Sequence, residues 1–274
     1  MSNARRMRMV LGLCAAVMMG LMAQAAEDLP TSVFVVHCEP TNANPAMWAS
    51  LVDLVALADR HEIPLSIDFT AQWAEMILAD AAKVSALALW IDGGHEIACH
   101  HHAYWSTMGR AAQWDGYTNT ATDEILPQDR SRYRGTMDEY LALLEEIPGD
   151  RRSGCLGGSD DRDAADWPCS LIYSTVGHAV EDAVSSPTAR SVGDCEVLEI
   201  GHALIVGAGR GALQALYEAT AADAIFGVVG HVYNYAEMPA AFEQWFAFLA
   251  ASDADGARRG TVSGVLDAWL AGHQ

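Results

Sequence analysis

Apolar positions recur along the chain in two alternating rhythms. Residues 32–37, Ser-Val-Phe-Val-Val-His, form a β-branched and aromatic run about as long as one buried strand. From Pro45 the spacing turns helical: Met47, Leu51, Leu54, Val55 and Leu57 share one face, and the pattern stops near Arg60-His61. Residues 64–69 predict a second strand. Thr70 then caps an Ala-rich helix reaching about Trp90, which Gly93-Gly94 ends. A third strand, 95–99, runs straight into His100-His101-His102. From 103 to about 129 the chain is polar and rich in Trp, Tyr, Asn and Thr, and a loop that long inside a compact domain is usually functional. Beyond it the pattern predicts a helix over 129–147, with Tyr140, Leu141 and Leu144 as its apolar face. Strands are expected at 153–156, 170–174, 195–206 and 224–230, and helices at about 209–222, 237–251 and 261–271.

Strand and helix thus alternate with turn signals between them, the pattern of a parallel α/β architecture. About seven strands predict a barrel, complete or irregular. In such a barrel functional groups gather at the C-terminal ends of the strands. Those ends carry His37-Cys38-Glu39-Pro40, the 100–102 triplet with Tyr104 beyond it, Gly157-Gly158-Ser159-Asp160-Asp161, Glu199 with His202, and His231-Val232-Tyr233. Six histidines on one rim point to chemistry. The two-residue period of a strand sharpens this: His37 and Glu39 face one way and Cys38 the other, while His100 and His102 share a face that His101 does not. His37, Glu39, His100 and His102 are therefore the candidate metal ligands. Imidazole and carboxylate without thiolate suit zinc, or nickel, cobalt or manganese, and three such ligands plus water make a hydrolytic site.

Composition narrows the classes. The 274 residues contain 36 Asp and Glu against 16 Lys and Arg, a formal charge of -20, and 51% hydrophobic residues. That fits one large-cored domain and excludes global disorder. It argues against nucleic acid as a partner, because phosphate contacts need clustered cations. Lys83 is the lone lysine. Gly207-Ala-Gly-Arg-Gly211 comes nearest to a phosphate loop but lacks its Lys-Ser/Thr, so no nucleotide is expected.

At the N-terminus, Arg5, Arg6 and Arg8 precede an apolar stretch from Met9 to Met22, and Ala23-Gln24-Ala25 fits a small-x-small cleavage site. Residues 1–25 read as a signal peptide for the general export route, and 26–274 as a single barrel domain in the periplasm or outside the cell, without a stable membrane anchor. Residues 1–25 hold three cations and no acids, so the remainder carries about -23. Such a surface disfavours polyanionic glycans and leaves neutral or amino sugars as the favoured substrates. Five cysteines follow the cut, an odd number, so at least one thiol is unpaired. One disulfide is expected among Cys155, Cys169 and Cys195, with the pair left open.

Gly94-His95-Glu96-Ile97-Ala98-Cys99-His100 resembles the second motif of the polysaccharide deacetylase (NodB-homology) superfamily, where "GHEI" and two further residues lead to a metal-binding histidine. Thr31 to Pro40 resembles that family's first strand and its catalytic end. Residues 63–70 with Trp73-Ala74 resemble the second strand and following helix, Arg152 to Gly158 stand where a third motif lies, and Gly230-His231 match the late strand ending in histidine. The resemblance implies an irregular (β/α)7 barrel of the glycoside hydrolase/deacetylase type and metal-dependent hydrolysis of N- or O-acetyl groups on glycans. It implies one Asp as base, another Asp and two His as metal ligands, and a late His as acid. His100 matches the first metal histidine and His231 the late one. The sequence departs where paired aspartates belong, offering His37-Cys38-Glu39, and where the second metal histidine belongs, offering Tyr104, so that His102 would have to substitute.

The leading expectation is an exported metal-dependent carbohydrate hydrolase, a deacetylase, with Glu39 and His231 catalytic and Tyr104, Trp114, Asp115, Arg152 and Gly158 touching substrate. The alternatives are a non-catalytic barrel that binds metal or glycan, and a hydrolase of another C–N or glycosidic bond. A glycosidic reaction calls for two converging carboxylates, with Glu39, Asp68, Asp115, Asp160, Asp161 and Glu199 as candidates.

Overall fold

The structure is a computed structural model, and residues 29–110, 113–157, 160–206 and 210–273 are described. Residues 1–25, Gly158 and the 207–209 part of the Gly-rich stretch lie outside that set. Seven parallel strands make the barrel wall, in the order β10-β1-β2-β3-β4-β5-β8. They are β1 (Thr31–Cys38), β2 (Leu65–Phe69), β3 (Glu96–His102), β4 (Ser153–Gly157), β5 (Tyr173–Val176), β8 (Cys195–Gly201) and β10 (Ile225–His231). Between them run α1 (Pro45–Arg60), α2 (Ala71–Leu78), α3 (Ala81–Asp92), α4 (Tyr104–Thr107), α5 (Met137–Glu145) and α6 (Arg210–Ala219), with α7 (Val232–Glu237), α8 (Pro239–Ser252) and α9 (Val262–Gly272) closing the chain. β8 and β10 are not hydrogen-bonded neighbours; β9 (Ala203–Leu204) pairs with β10 in the gap. The chains pass so closely there that a Cβ on Gly227 would sit 2.1 Å from the Gly201 carbonyl oxygen. The fold is an irregular (β/α)7 barrel.

Strand alternation separates two cores. On β1, Phe34, Val36 and Cys38 face outward to the helices, in a cluster with Leu51, Leu54, Trp73 and Phe246. Val33 and Val35 face inward, with Tyr173, Ile200, Val229 and, from α9, Val262 and Leu266. The inward columns of β1 and β10 run from apolar residues near their starts to His37 and His231 at their C-terminal ends. Parallel register therefore assembles polar layers: His37 stands beside Asp68 and His231, and His100 beside Cys155. The far end of the barrel carries its own polar plug, where Glu96 accepts hydrogen bonds from Ser66, Ser153 and Ser263.

Several element boundaries differ from the sequence pattern, each for a local reason. The helix expected over 70–90 is two, because Asp80 caps Ala82 N–H and starts α3 anew. The helix expected from 129 begins at Met137, where Thr136 and Glu139 form a capping box. The run 195–206 breaks at His202, between β8 and β9. An antiparallel strand β7 (Thr188–Val192) was not expected; it pairs with β8 and is polar and exposed, so it leaves no hydrophobic alternation. β6 (Val184–Ser185) and β11 (Arg259–Gly260) are two-residue edges on β10 and β1. The disulfide joins Cys169 to Cys195, leaving Cys38, Cys99 and Cys155 as buried thiols. No helix among the described residues is long and apolar enough to cross a membrane.

Candidate metal centre

Glu39 lies one residue past β1, in extended backbone (φ -62°, ψ 145°), where Pro40 opens a turn of 3-10 helix. Its carboxylate is met by three imidazoles. Oε2 is 2.9 Å from His102 Nε2, while Oε1 is 3.3 Å from His100 Nε2 and 3.2 Å from His231 Nε2. His100 and His102 face each other with their Nε2 atoms 2.9 Å apart. These groups form the floor of a cleft of about 650 Å³, whose walls include His37, Cys155, His178 and Tyr233.

Hydrogen-bond partners assign the ring tautomers. His100 Nδ1 lies 3.0 Å from the Cys155 carbonyl, which only accepts, so Nδ1 carries the proton. Burial holds the His100 pKa below its ordinary value, against the pull of Glu39, and the ring is neutral. Its Nε2 is then a bare lone pair, facing a second imidazole nitrogen and a carboxylate oxygen. A single proton on His102 Nε2 can serve only one of its two 2.9 Å contacts, and none lies between His100 Nε2 and Glu39 Oε1. His231 repeats the arrangement: its Nδ1 (2.8 Å) and backbone N–H (3.2 Å) both donate to Asn234 Oδ1, and Nε2 points at Glu39.

A cation would satisfy these converging lone pairs. Bond lengths of about 2.0–2.2 Å to nitrogen and oxygen imply ligand atoms about 2.9 Å apart at right angles and about 3.3 Å apart in a tetrahedron. The spacings from 2.9 to 3.3 Å fit that range. Glu39, His100 and His102 thus form a set able to hold a divalent ion, and His37, Glu39 and His231 form an overlapping one.

His37 sits one layer deeper. It is 2% exposed, its ring is stacked on His100 with centroids 4.2 Å apart, and Nε2 has no hydrogen-bond partner. Burial, then the neighbouring His100, His231 and His202, hold its pKa well below the ordinary value. Asp68 Oδ2 is 3.9 Å from His37 Nε2, beyond hydrogen-bond range, and burial pushes the Asp68 pKa well up.

His101 points to the helix side, as the alternation requires. It is wholly buried between Asp115, 2.7 Å from Nδ1, and Asp166, 3.6 Å from Nε2. Burial lowers its pKa, but the two carboxylates outweigh burial and raise it to about 10. Asp115 also accepts from the backbone N–H of His102 and of Tyr117, tying the loop to β3.

The structure does not bring all the expected substrate contacts to the cleft. Tyr104 is 1% exposed, its hydroxyl accepts from Leu126 N–H, and its ring packs on Trp105 and Trp114. His102, and not Tyr104, stands beside His100, because the strand runs on through the triplet. Arg152 precedes β4 at the opposite end of the barrel, paired through two hydrogen bonds to Asp267 and a third to Asp150. Trp114 and Asp115 are buried, but they border a second groove of about 560 Å³ with Gln72, Tyr117 and Tyr133. Thr41 borders both hollows, so the groove adjoins the cleft. Of the carboxylates considered for a glycosidic reaction, only Glu39 lines the cleft. Asn234, three residues after His231, and the His178 and Cys155 side chains, whose site neighbours are far away in sequence, are not among the expected site residues.

No protein-family model and no curated protein matches the sequence. Solved structures do match. Two named as polysaccharide deacetylases come from Mycobacterium smegmatis, at 14% identity and TM-score 0.52, and Pseudomonas aeruginosa PAO1, at 15% and 0.51. The first alignment covers 90% of this chain and 92% of the other, and the second 81% and 85%. The chain has the polysaccharide deacetylase fold. A 4-alpha-glucanotransferase from Thermococcus litoralis, at 11% identity and TM-score 0.52, aligns over 88% of this chain and 40% of its own. One barrel thus hosts different chemistries, and the deacetylase-type barrel must be read through its site.

Proposed function

We propose that this chain is an exported, divalent-metal-dependent hydrolase that removes acetyl groups from carbohydrate, with neutral or amino sugars as substrates. The observation that carries the reading is the convergence of Glu39 with Nε2 of His100, His102 and His231 on the floor of an open cleft. Glu39, His100 and His102 would hold the ion, zinc in the simplest case, and such an ion supplies Lewis acidity toward a carbonyl oxygen and toward water. The Cys155 carbonyl fixes the His100 ring with its lone pair toward the centre. The two Glu39 oxygens have separate surroundings, so one can hold the ion while the other accepts a proton from the attacking water. His231, steadied by Asn234, presents Nε2 to the same carboxylate. In its protonated form it delivers that proton to the leaving amine or alkoxide as the acyl bond breaks.

Two features support a sugar as the substrate. The fold is that of the deacetylases, and the groove adjoining the cleft offers the Tyr117 and Tyr133 rings at its wall. Export is supported by the basic and apolar pattern of residues 1–25 and by the Cys169–Cys195 disulfide, a bond that persists in oxidising compartments. The deciding experiment is acetate release from N-acetylglucosamine oligomers and acetylated xylan. Chelation should abolish release and zinc restore it. His100→Ala should lose both metal and activity, whereas His231→Ala should keep the metal and lose roughly 10²–10⁴-fold in rate. Undiminished turnover in chelator, or after His100→Ala, refutes the proposal; stoichiometric metal with no turnover on any acetylated sugar favours a binding role.

A further inference from the structure

Beneath the Glu39 centre the barrel holds a second cluster that the hydrolytic reading does not use. His37, Cys155 and His202 come from three different places on the wall, and one ligand atom from each lies within 4.8 Å of the others. All three residues are buried, His202 completely. His37 Nε2 and both ring nitrogens of His202 lack hydrogen-bond partners, and the buried Thr175 hydroxyl on β5, the strand beside β4, has only the Cys155 thiol near it. The carbonyls of Gly177 and of His202 itself lie near the His202 ring, but neither forms a hydrogen bond of ordinary geometry with it. A neutral imidazole has one donor and one acceptor, and leaving both unmet inside a protein is costly, so a buried cluster of this kind calls for an occupant. An apolar packing role would have been met by leucine or phenylalanine.

We propose that His37, Cys155 and His202 bind a second cation, a borderline or soft divalent ion such as zinc, in the layer below the Glu39 centre. Two imidazoles and one thiolate are a donor set for such an ion and a poor one for magnesium or calcium. Binding exchanges the Cys155 thiol proton for the metal–sulfur bond, so one proton is released to solvent for each ion taken up. His37 and Cys155 line the open cleft, which gives the ion its route inward, while His202 closes the site from below. The stacking of His37 on His100 places the two centres in adjacent layers, so loading the lower one holds His37 in position under a ligand of the upper one. This second site does not depend on the deacetylase reading.

Cobalt(II) is the probe, because a cobalt–thiolate bond adds a charge-transfer band in the near ultraviolet that nitrogen and oxygen ligands do not produce. Metal-stripped full-length protein should take up two equivalents of cobalt, one with the thiolate band. Cys155→Ser should lose the band and one equivalent, His202→Asn should do the same, and His102→Ala should lose one equivalent while keeping the band. X-ray absorption of the zinc-loaded wild-type protein, which needs no variant to fold, should show one sulfur per two zinc ions. Binding of one equivalent without the band, a band that survives Cys155→Ser, or a zinc shell free of sulfur would each overturn the proposal. Loss of activity with the lower site intact would instead count against the deacetylase reading alone.

Discussion

Glu96 belongs to the motif that precedes His100 and His102, yet the structure gives it work at the other end of the barrel. Its carboxylate accepts from Ser66 Oγ at 2.7 Å, from Ser153 Oγ at 2.6 Å, and from both the backbone N–H (3.2 Å) and the hydroxyl of Ser263. Ser66, Ser153 and Ser263 are 0%, 1% and 6% exposed. Glu96→Ala would strip four donors of their acceptor, and each buried unmet donor costs about 1–3 kcal/mol. The hydroxyls can rotate and water can enter the space the side chain leaves, so the net loss should be about 3–5 kcal/mol. Glu96→Gln retains one carbonyl acceptor and should lose about 1–2 kcal/mol. Glu96 and His100 share a face of β3 four residues apart, a separation of about 13 Å along the strand, so the metal centre should be untouched. The assay is urea unfolding followed by circular dichroism, with metal content measured on the folded fraction. Unchanged stability with lost metal would refute this assignment and move Glu96 into the site.

Three further outcomes test other parts of the structure. Asp115→Asn removes the nearer anion beside His101, whose pKa is raised to about 10 from an unfolded value near 6.5; the stabilisation is complete below pH 6.5 and vanishes as pH rises through 10. The variant's deficit should therefore be about 3–5 kcal/mol at pH 6 and shrink toward pH 10, and unfolding curves showing a pH-independent deficit would contradict the charged His101. Replacing Cys169 and Cys195 together by serine opens a link spanning 26 residues, which should cost about 3.5 kcal/mol on chain entropy, read as a drop in the urea midpoint. Arg152→Ala breaks a half-exposed pair with Asp267 at the far end of the barrel, so stability should fall by no more than about 1 kcal/mol and KM for an acetylated sugar should stay within twofold.

Much of the fold was legible because it rests on local periodicity. The apolar run of β1, the capped α1 spacing and the buried stretch of β10 each declare themselves without help from the rest of the chain. The strand period also separated His101 from His100 and His102, and the structure keeps that division: His101 goes to Asp115 and Asp166, its neighbours to Glu39. Features with no periodic signal were not legible: the polar β7 edge leaves none, and nothing local shows that Trp114 and Asp115, expected at a substrate rim, are buried while they border the groove beside the cleft. Arg152 adjoins a motif in the sequence but stands at the start of its strand, away from the end where such sites form.

The sequence by itself determined the parallel α/β barrel, the rim on which histidines would collect, and the faces of His37, His100, His101 and His102, because backbone period and burial act over a few residues. Only the tertiary structure decided that Glu39 lies between three imidazoles, that His102 occupies the place beside His100, that Cys169 and not Cys155 pairs with Cys195, and that His202 meets His37 and Cys155 inside the barrel. Those contacts join residues up to 192 positions apart, as in His231 to Glu39. They are set by strand order and parallel register, which bring distant strand ends into one layer, and no local pattern encodes which ends will meet.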